Sequence, residues 1–232
     1  MPPYDLLLSS GFLAFARHAG VLGAIEAAGV PIDAVVGTSS GSLVGALWCA
    51  GMKASEIQAE VAGRRPASLM GLSMTPWRGL FHLEPLMAWM RGRLPPNIED
   101  LPRPFAVGVV TADKKARLLT SGPLPEAVAA SCAMPHIFRP VEIGGEALAD
   151  GGFADRLMVG PWRAWRGERP AIAHLIERSA GVNPTDDLSA LTLIHTPRSG
   201  ANFLSLGDVA AQAEEARSRA EAALVVAGLK QC

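Results

Sequence analysis

The stretch Pro31-Ile-Asp-Ala-Val-Val-Gly-Thr-Ser-Ser-Gly41 carries the reading of the fold. Ile32 to Val36 is a short apolar, β-branched run, the pattern of a strand buried in a sheet. Gly37-Thr-Ser-Ser-Gly-Ser42 follows, rich in glycine and hydroxyls, and suits a tight turn. From Ser40 onward Leu43, Val44, Leu47 and Trp48 recur at helical spacing, ending near Gly51. The stretch from Ala34 to Met52 contains no charge and is long enough to span a membrane. The turn in its middle argues instead for a buried strand followed by a buried helix in a soluble protein.

Upstream, Leu6-Leu-Leu8 lies between Asp5 and Ser9-Ser-Gly11 and reads as a first buried strand. Val21, Leu22, Ile25 and Ala28 then mark a helix, with Gly29 as its stop. Strand, helix, strand, helix in close succession is a βαβα unit and predicts a parallel sheet. Downstream, helices are expected at Ala54 to Ala62, Glu84 to Leu94, Glu126 to Ala133 and Val209 to Val226. Strands are expected at Phe105 to Thr111, Ala116 to Thr120, Ala171 to Ile176 and Leu191 to His195, the first two joined by a turn at Asp113-Lys-Lys115. No repeat, low-complexity tract or linker divides the chain, so residues 1–232 read as one domain.

The chain can bury a sizeable core unaided: it has 232 residues, 49% of them hydrophobic. Its 21 Lys+Arg and 22 Asp+Glu give a formal charge of −1, which argues against nucleic acid as a partner. Cys49, Cys132 and Cys232 are odd in number and scattered, matching neither a disulfide framework nor a paired zinc motif. With no signal-peptide pattern at Met1-Pro-Pro-Tyr-Asp5, a cytoplasmic location is expected. His18, His82, His136, His174 and His195 share no ligand spacing, so neither metal nor cofactor is implied.

Gly37-Thr-Ser39-Ser-Gly41 is a G-x-S-x-G sequence placed between a predicted strand and a predicted helix. In that context the serine occupies a strained elbow, and its hydroxyl projects above the sheet at a helix N-terminus that favours negative charge. Gly37 and Gly41 leave room for neighbouring chain, and the Ser40 N–H is an oxyanion donor. A histidine base is available in sequence order at His174 or His195. The elbow lies on only the second strand, however, whereas several strands precede it in α/β-hydrolases.

Several blocks resemble the patatin-like phospholipase family. Leu6-Leu-Leu-Ser-Ser-Gly-Phe12 occupies the place of the family's strand and glycine-rich loop. His18-Ala-Gly-Val-Leu22 is similar to the helix after it, and Pro31 to Gly41 resembles the family's elbow. A second block, Ala129-Ala-Ser-Cys-Ala-Met-Pro-His-Ile-Phe138, Pro140-Val-Glu-Ile143 and Asp150-Gly-Gly152, resembles the one that ends in the family's D-G-G motif. The resemblance implies a three-layer α/β/α fold with a largely parallel central sheet. It implies a lipid acyl hydrolase with Ser39 as nucleophile and Asp150 as its base, the carboxylate made basic by a partly dry site. Gly151 and Gly152 would bring the loop over the elbow, while Gly11, Phe12 and Ser40 would supply oxyanion N–H groups. The chain departs from the family in the oxyanion loop. Ser10, Gly11 and Phe12 replace three glycines, Ala14 stands at a basic position with Arg17 one turn on, and a positive φ at Phe12 would be costly.

The expected reaction is hydrolysis of lipid carboxylic esters through an acyl-enzyme, with transient contact at a membrane surface. A non-catalytic lipid- or partner-binding protein of the same fold and an acyltransferase are the alternatives, and nothing in the sequence speaks to oligomeric state. Met70, Met74, Met87 and Met90, with Trp77, Phe81 and Trp89, read either as an acyl-chain surface or as a cap on the core. His18 is expected to make a structural hydrogen bond. Ser131, Cys132 and Cys49 are expected in the core. Arg163, Arg166 and Arg169, with Trp162 and Trp165, read as a solvated or interfacial loop.

Overall fold

The computed structural model describes residues 2–178, 180–184 and 186–230, so Cys232 lies outside the described residues. In chain order the elements are β1 (Tyr4–Leu8), α1 (Phe15–Ala28), β2 (Ile32–Thr38), α2 (Ser40–Cys49), α3 (Ala54–Ala62), β3 (Gly71–Leu72), β4 (Phe81–His82), α4 (Glu84–Arg91), β5 (Phe105–Val110), β6 (Ala116–Leu119), α5 (Leu124–Cys132), β7 (Val141–Ile143), β8 (Glu146–Asp150), α6 (Val159–Arg166), β9 (Ala171–Ile176), β10 (Leu191–Thr196) and α7 (Val209–Val226). Short 3₁₀ turns at Pro66–Leu69 and Gly151–Phe153 matter to the site.

The main sheet has the order β10-β9-β1-β2-β5-β8-β7, with β6 also paired to β5. Its β10, β9, β1, β2 and β5 neighbours are parallel, as the βαβα pattern requires. Side chains alternate across a strand, and here the alternation makes two cores. Leu6, Leu8, Val35, Val107 and Val109 face the layer that holds α1, α2, α3, α5 and α7. Leu7, Val36, Ala106, Ala171 and Ala173 face Trp162, Met158 and Val159 at α6. Three layers result, with the sheet buried on both faces.

The α6 segment corrects the reading of Arg163 and Arg166 as loop, while Arg169 lies in the loop that follows it. Gly160 and Pro161 break the helical pattern in sequence, yet proline in a first helical turn loses no hydrogen bond. Trp162 is buried and donates its indole N–H to the Asp5 carboxylate at 2.9 Å. Arg166 pairs with Asp5 at 3.0 Å and also with Asp33, while Arg169 reaches Asp33 at 2.8 Å. Arg166 and Arg169, with Trp162, therefore fasten α6 and the loop after it to the starts of β1 and β2.

One detail of the sheet positions the site. β2 pairs with β5 up to Thr38 opposite Gly108, and β8 pairs with Val109 and Val110. β6 already fills the opposite edge of β5 from Val107 to Val110. β8 therefore continues the line of β2 along one edge, descending antiparallel until Asp150, opposite Val109, meets the end of β2 at Thr38. Val109 faces the α2 layer, and cross-strand partners share a face, so Asp150 is directed to the layer in which α2 begins.

Candidate active site

Ser39 follows β2 and precedes α2 with φ 52° and ψ −120°. A positive φ is strained in any residue with a Cβ and survives only where surroundings fix it. A Cβ on Gly37 would lie 2.5 Å from the Gly41 carbonyl oxygen, and one on Gly41 would lie 2.3 Å from that of Leu8. Both motif glycines are thus required by close backbone approach. The Ser39 N–H donates to Ser131 Oγ at 2.8 Å, and the Ser131 hydroxyl donates to the Gly108 carbonyl at 2.6 Å. Ser42 donates its hydroxyl to the Ser39 carbonyl at 2.7 Å. Ser131 is buried as expected, but it is also a strut between the elbow and β5, a role invisible in an alanine-rich helix.

Asp150 ends β8, and its Oδ1 accepts the Gly152 N–H at 2.8 Å. Burial disfavours the charged carboxylate and lifts its pKa from 3.8 to about 6. The facing Ser39 hydroxyl, the Gly152 N–H and the positive charge of Arg156 oppose that rise. A Cβ on Gly151 would lie 2.6 Å from the Gly108 carbonyl, and one on Gly152 would lie 2.4 Å from Ser10 Oγ. The D-G-G turn thus packs directly on β5 and on the Ser10 loop. Cys132, half-buried at the same wall, keeps its thiol protonated because burial raises its pKa. Cys49 is buried in the core, where the same cause pushes its pKa up to about 12.

The loop from Ser10 to Leu13 lies beside this pair. Among the described residues, the N–H groups of Gly11, Phe12 and Ser40 donate to no protein acceptor, so three donors near the elbow are unspent. The positive φ falls on Leu13, at 49°, and not on Phe12. Phe12 is held by its carbonyl, which accepts from Ser199 at 2.7 Å, and by its ring, edge-on to Phe203 at 5.2 Å. Arg17 points elsewhere, to Glu215 on α7 at 3.0 Å.

A different arginine grips the loop. Arg156 is almost fully buried and donates from Nη2 to the Ser10 carbonyl at 2.9 Å and the Ile176 carbonyl at 2.6 Å. Its Nη1 reaches Asn183 at 3.0 Å, its Nε reaches Ser10 Oγ at 3.3 Å, and its backbone carbonyl accepts the Ser10 N–H at 2.9 Å. Sequence reasoning missed this residue. The available signal was one arginine between Asp155 and the apolar Leu157-Met-Val159, six residues after Asp150.

Ser39, Asp150 and the Ser10 loop line one apolar slot with about 90 Å³ of free space. Leu43, Leu69, Met70, Leu83 and Phe138 form much of its wall. The methionine-rich segment divides accordingly. Met70 lines the slot, Met87 and Met90 pack in the core, and Met74 and Trp77 stand in solvent. No imidazole hydrogen-bonds Ser39 among the described residues. His18 instead meets Ser40 Oγ at 3.3 Å and His174 at 2.9 Å, and His174 meets Thr196 at 2.8 Å. Burial lowers the pKa of His18 to about 3 and that of His174 well below its usual value, so the pair is neutral and structural.

A three-layer α/β/α fold whose sheet turns into a helix through a positive-φ serine is the architecture of hydrolases with an elbow nucleophile. Within that class the chain belongs to the patatin-like phospholipase family, whose sequence profile matches residues 6–161. An uncharacterized NTE family protein of Mycobacterium tuberculosis is 32% identical over 164 residues, which are 69% of this chain and 45% of that protein. The neuropathy target esterase of Drosophila melanogaster is 30% identical over 216 residues, 82% of this chain and 14% of that protein. The chain thus spans under half the length of these relatives. Its fold is similar to that of VipD from Legionella pneumophila, with a TM-score of 0.67 at 13% identity, covering 97% of this chain and 67% of that one.

Proposed function

We propose that the protein is a serine esterase that hydrolyses carboxylic esters of lipids through Ser39 and Asp150. One observation carries this reading: a strained serine and a buried carboxylate with pKa near 6 share an apolar slot with unspent N–H donors. Ser39 Oγ attacks the ester carbonyl carbon while Asp150 takes its proton. The tetrahedral oxygen accepts from the N–H groups of Gly11, Phe12 and Ser40. Collapse expels the alcohol, which regains the proton from Asp150 and leaves an acyl-Ser39. Water, deprotonated by Asp150, attacks this ester, and Ser39 leaves with the proton as the carboxylic acid forms.

The free N–H groups of the altered loop favour turnover over a purely binding role. The apolar lining favours an acyl chain over a polar acid, and the family's lipid substrates agree with that choice. Among the described residues no helix is long and apolar enough to cross a membrane. The test is labelling by a fluorophosphonate probe together with turnover of p-nitrophenyl esters of rising acyl length. Ser39→Ala is expected to abolish both. Asp150→Asn is expected to lower turnover by roughly 10²–10⁴, since base and nucleophile act as one unit. A folded parent that neither labels nor turns over, or an Asp150→Asn variant of near-parent rate, refutes the reading.

A further inference from the structure

We infer that the ribbon from Leu72 to Leu80 is a docking element for an anionic lipid bilayer, an inference that rests on the esterase reading for its purpose. The ribbon is formed by β3, β4 and the turn at Pro76–Arg78 between them. Leu72, Met74, Trp77 and Leu80 on it are 54% to 90% exposed. Such a cluster of large apolar side chains marks an interaction surface, and tryptophan is favoured where one partner is a membrane interface. The ribbon is anchored to the slot wall. Phe81 N–H donates to the Ile137 carbonyl, and Arg139 N–H donates to the Phe81 carbonyl, both at 2.9 Å. Rings then run from Phe81 to Phe138 at 6.2 Å, to Phe203 at 6.5 Å and to Phe12 at 5.2 Å.

Two features choose lipid over a protein partner. With about 90 Å³ free, the slot is well below the roughly 300–1,000 Å³ that encloses a drug-sized ligand. A long-chain ester must therefore react with much of its body still outside, which requires an apolar phase at the mouth. Charge gives the second argument. Among the described residues Arg65, seven residues before Leu72 in the chain, and Arg139, whose N–H bonds Phe81, meet no carboxylate, and Arg78 at the ribbon's tip meets only Glu142. The surplus is positive and suits anionic headgroups.

The experiment uses Ser39→Ala protein, so binding is measured without turnover, with phosphatidylcholine vesicles that contain or lack phosphatidylglycerol. The Ser39→Ala chain is expected to sediment with the vesicles. Adding Leu72→Ser, Met74→Ser and Trp77→Ser should weaken partitioning about tenfold or more. Arg65→Gln with Arg139→Gln should remove the phosphatidylglycerol-dependent part, roughly fivefold per arginine. In a Ser39 background the triple change should leave p-nitrophenyl butyrate turnover within about twofold, as exposed sites allow. Ribbon-dependent binding by a protein without esterase activity supports docking and defeats the esterase reading instead. Equal vesicle binding by the triple variant overturns docking. So does a dimer that the triple change dissociates, which would make the occupant a second copy. Loss of soluble-ester turnover also overturns it, by placing the ribbon in the slot.

Discussion

Arg156→Met is the sharpest perturbation of the site that leaves Ser39 and Asp150 in place. Methionine keeps an apolar stem of similar reach but removes donors to Ile176, Ser10 and Asn183. The Ser10 carbonyl retains the Ser9 hydroxyl at 3.1 Å, whereas the Ile176 carbonyl loses its donor at 2.6 Å. Losing charge-assisted bonds of this kind is expected to cost about 2–5 kcal/mol of stability. The catalytic effect is separable. Gly11 and Phe12 follow Ser10 directly, so a slack loop misplaces two of the three proposed oxyanion donors, and losing one such donor typically costs ~10²–10³ in turnover. Arg156 also favours the charged form of Asp150, so removing its charge should raise that pKa further and move the acid limb of kcat/KM, near pH 6, upward. Arg156→Lys should preserve the position of the limb while losing turnover, because an ammonium keeps the charge but not the planar fork. The assay is kcat and the pH profile of kcat/KM on a soluble ester, with circular dichroism as the check on folding. A folded Arg156→Met protein whose turnover stays within about threefold of parent and whose acid limb does not move refutes the clamp.

Asp150 is raised from 3.8 to about 6 on folding, so its favourable contribution is complete below 3.8 and lost as pH rises through 6. Ionised Asp150 should therefore cost on the order of 3 kcal/mol above pH ~7, and Asp150→Asn should raise the Tm there by ~5–10 °C. That gain should vanish in acid below the unfolded pKa; equal Tm values at all pH would show that the carboxylate is not desolvated. Ser131→Ala strands the Ser39 N–H and should lower stability by ~1–3 kcal/mol together with turnover, read by urea melts and ester assays. His195→Ala, on an exposed ring, should leave turnover within about threefold. His174→Ala should instead destabilise the fold through the polar groups left at His18 and Thr196, visible as a lowered Tm.

Where periodicity and stops agree, the sequence anticipates the structure closely. α3, β9 and α7 have the expected bounds, and Gly29 ends α1 in the left-handed conformation. The elbow at Ser39 is legible in its flanking glycines, which the structure packs against backbone, whereas Asp150-Gly-Gly alone reads as an ordinary turn and is singled out only by the family resemblance. The β7–β8 hairpin was not, since its short strands are half-exposed and carry Glu142 and Glu146 like a loop. Arg156 was hidden for a related reason. A lone arginine reads as solvated, and only the tertiary path of Ser10, Ile176 and Asn183 supplies its acceptors. The strain expected at Phe12 fell on Leu13 because loop path, not residue type, decides where the chain reverses.

The end-to-end meeting of β2 and β8 on one edge of β5 makes the sheet a ruler for the chemistry. The spacing of Ser39 and Asp150 is counted in backbone hydrogen bonds along β5, not in the residues that separate them along the chain. Insertions between α2 and β5, or exchange of the ribbon and α4, leave the ruler unread and the pair unmoved. A slip of β8 by a single position would shift Asp150 by about 3.3 Å and turn its carboxylate to the α6 side of the sheet. Of the chain between the two motifs, β5, β8 and the Ser131 strut are bound to this geometry, whereas the ribbon and α4 lie off the edge that sets it.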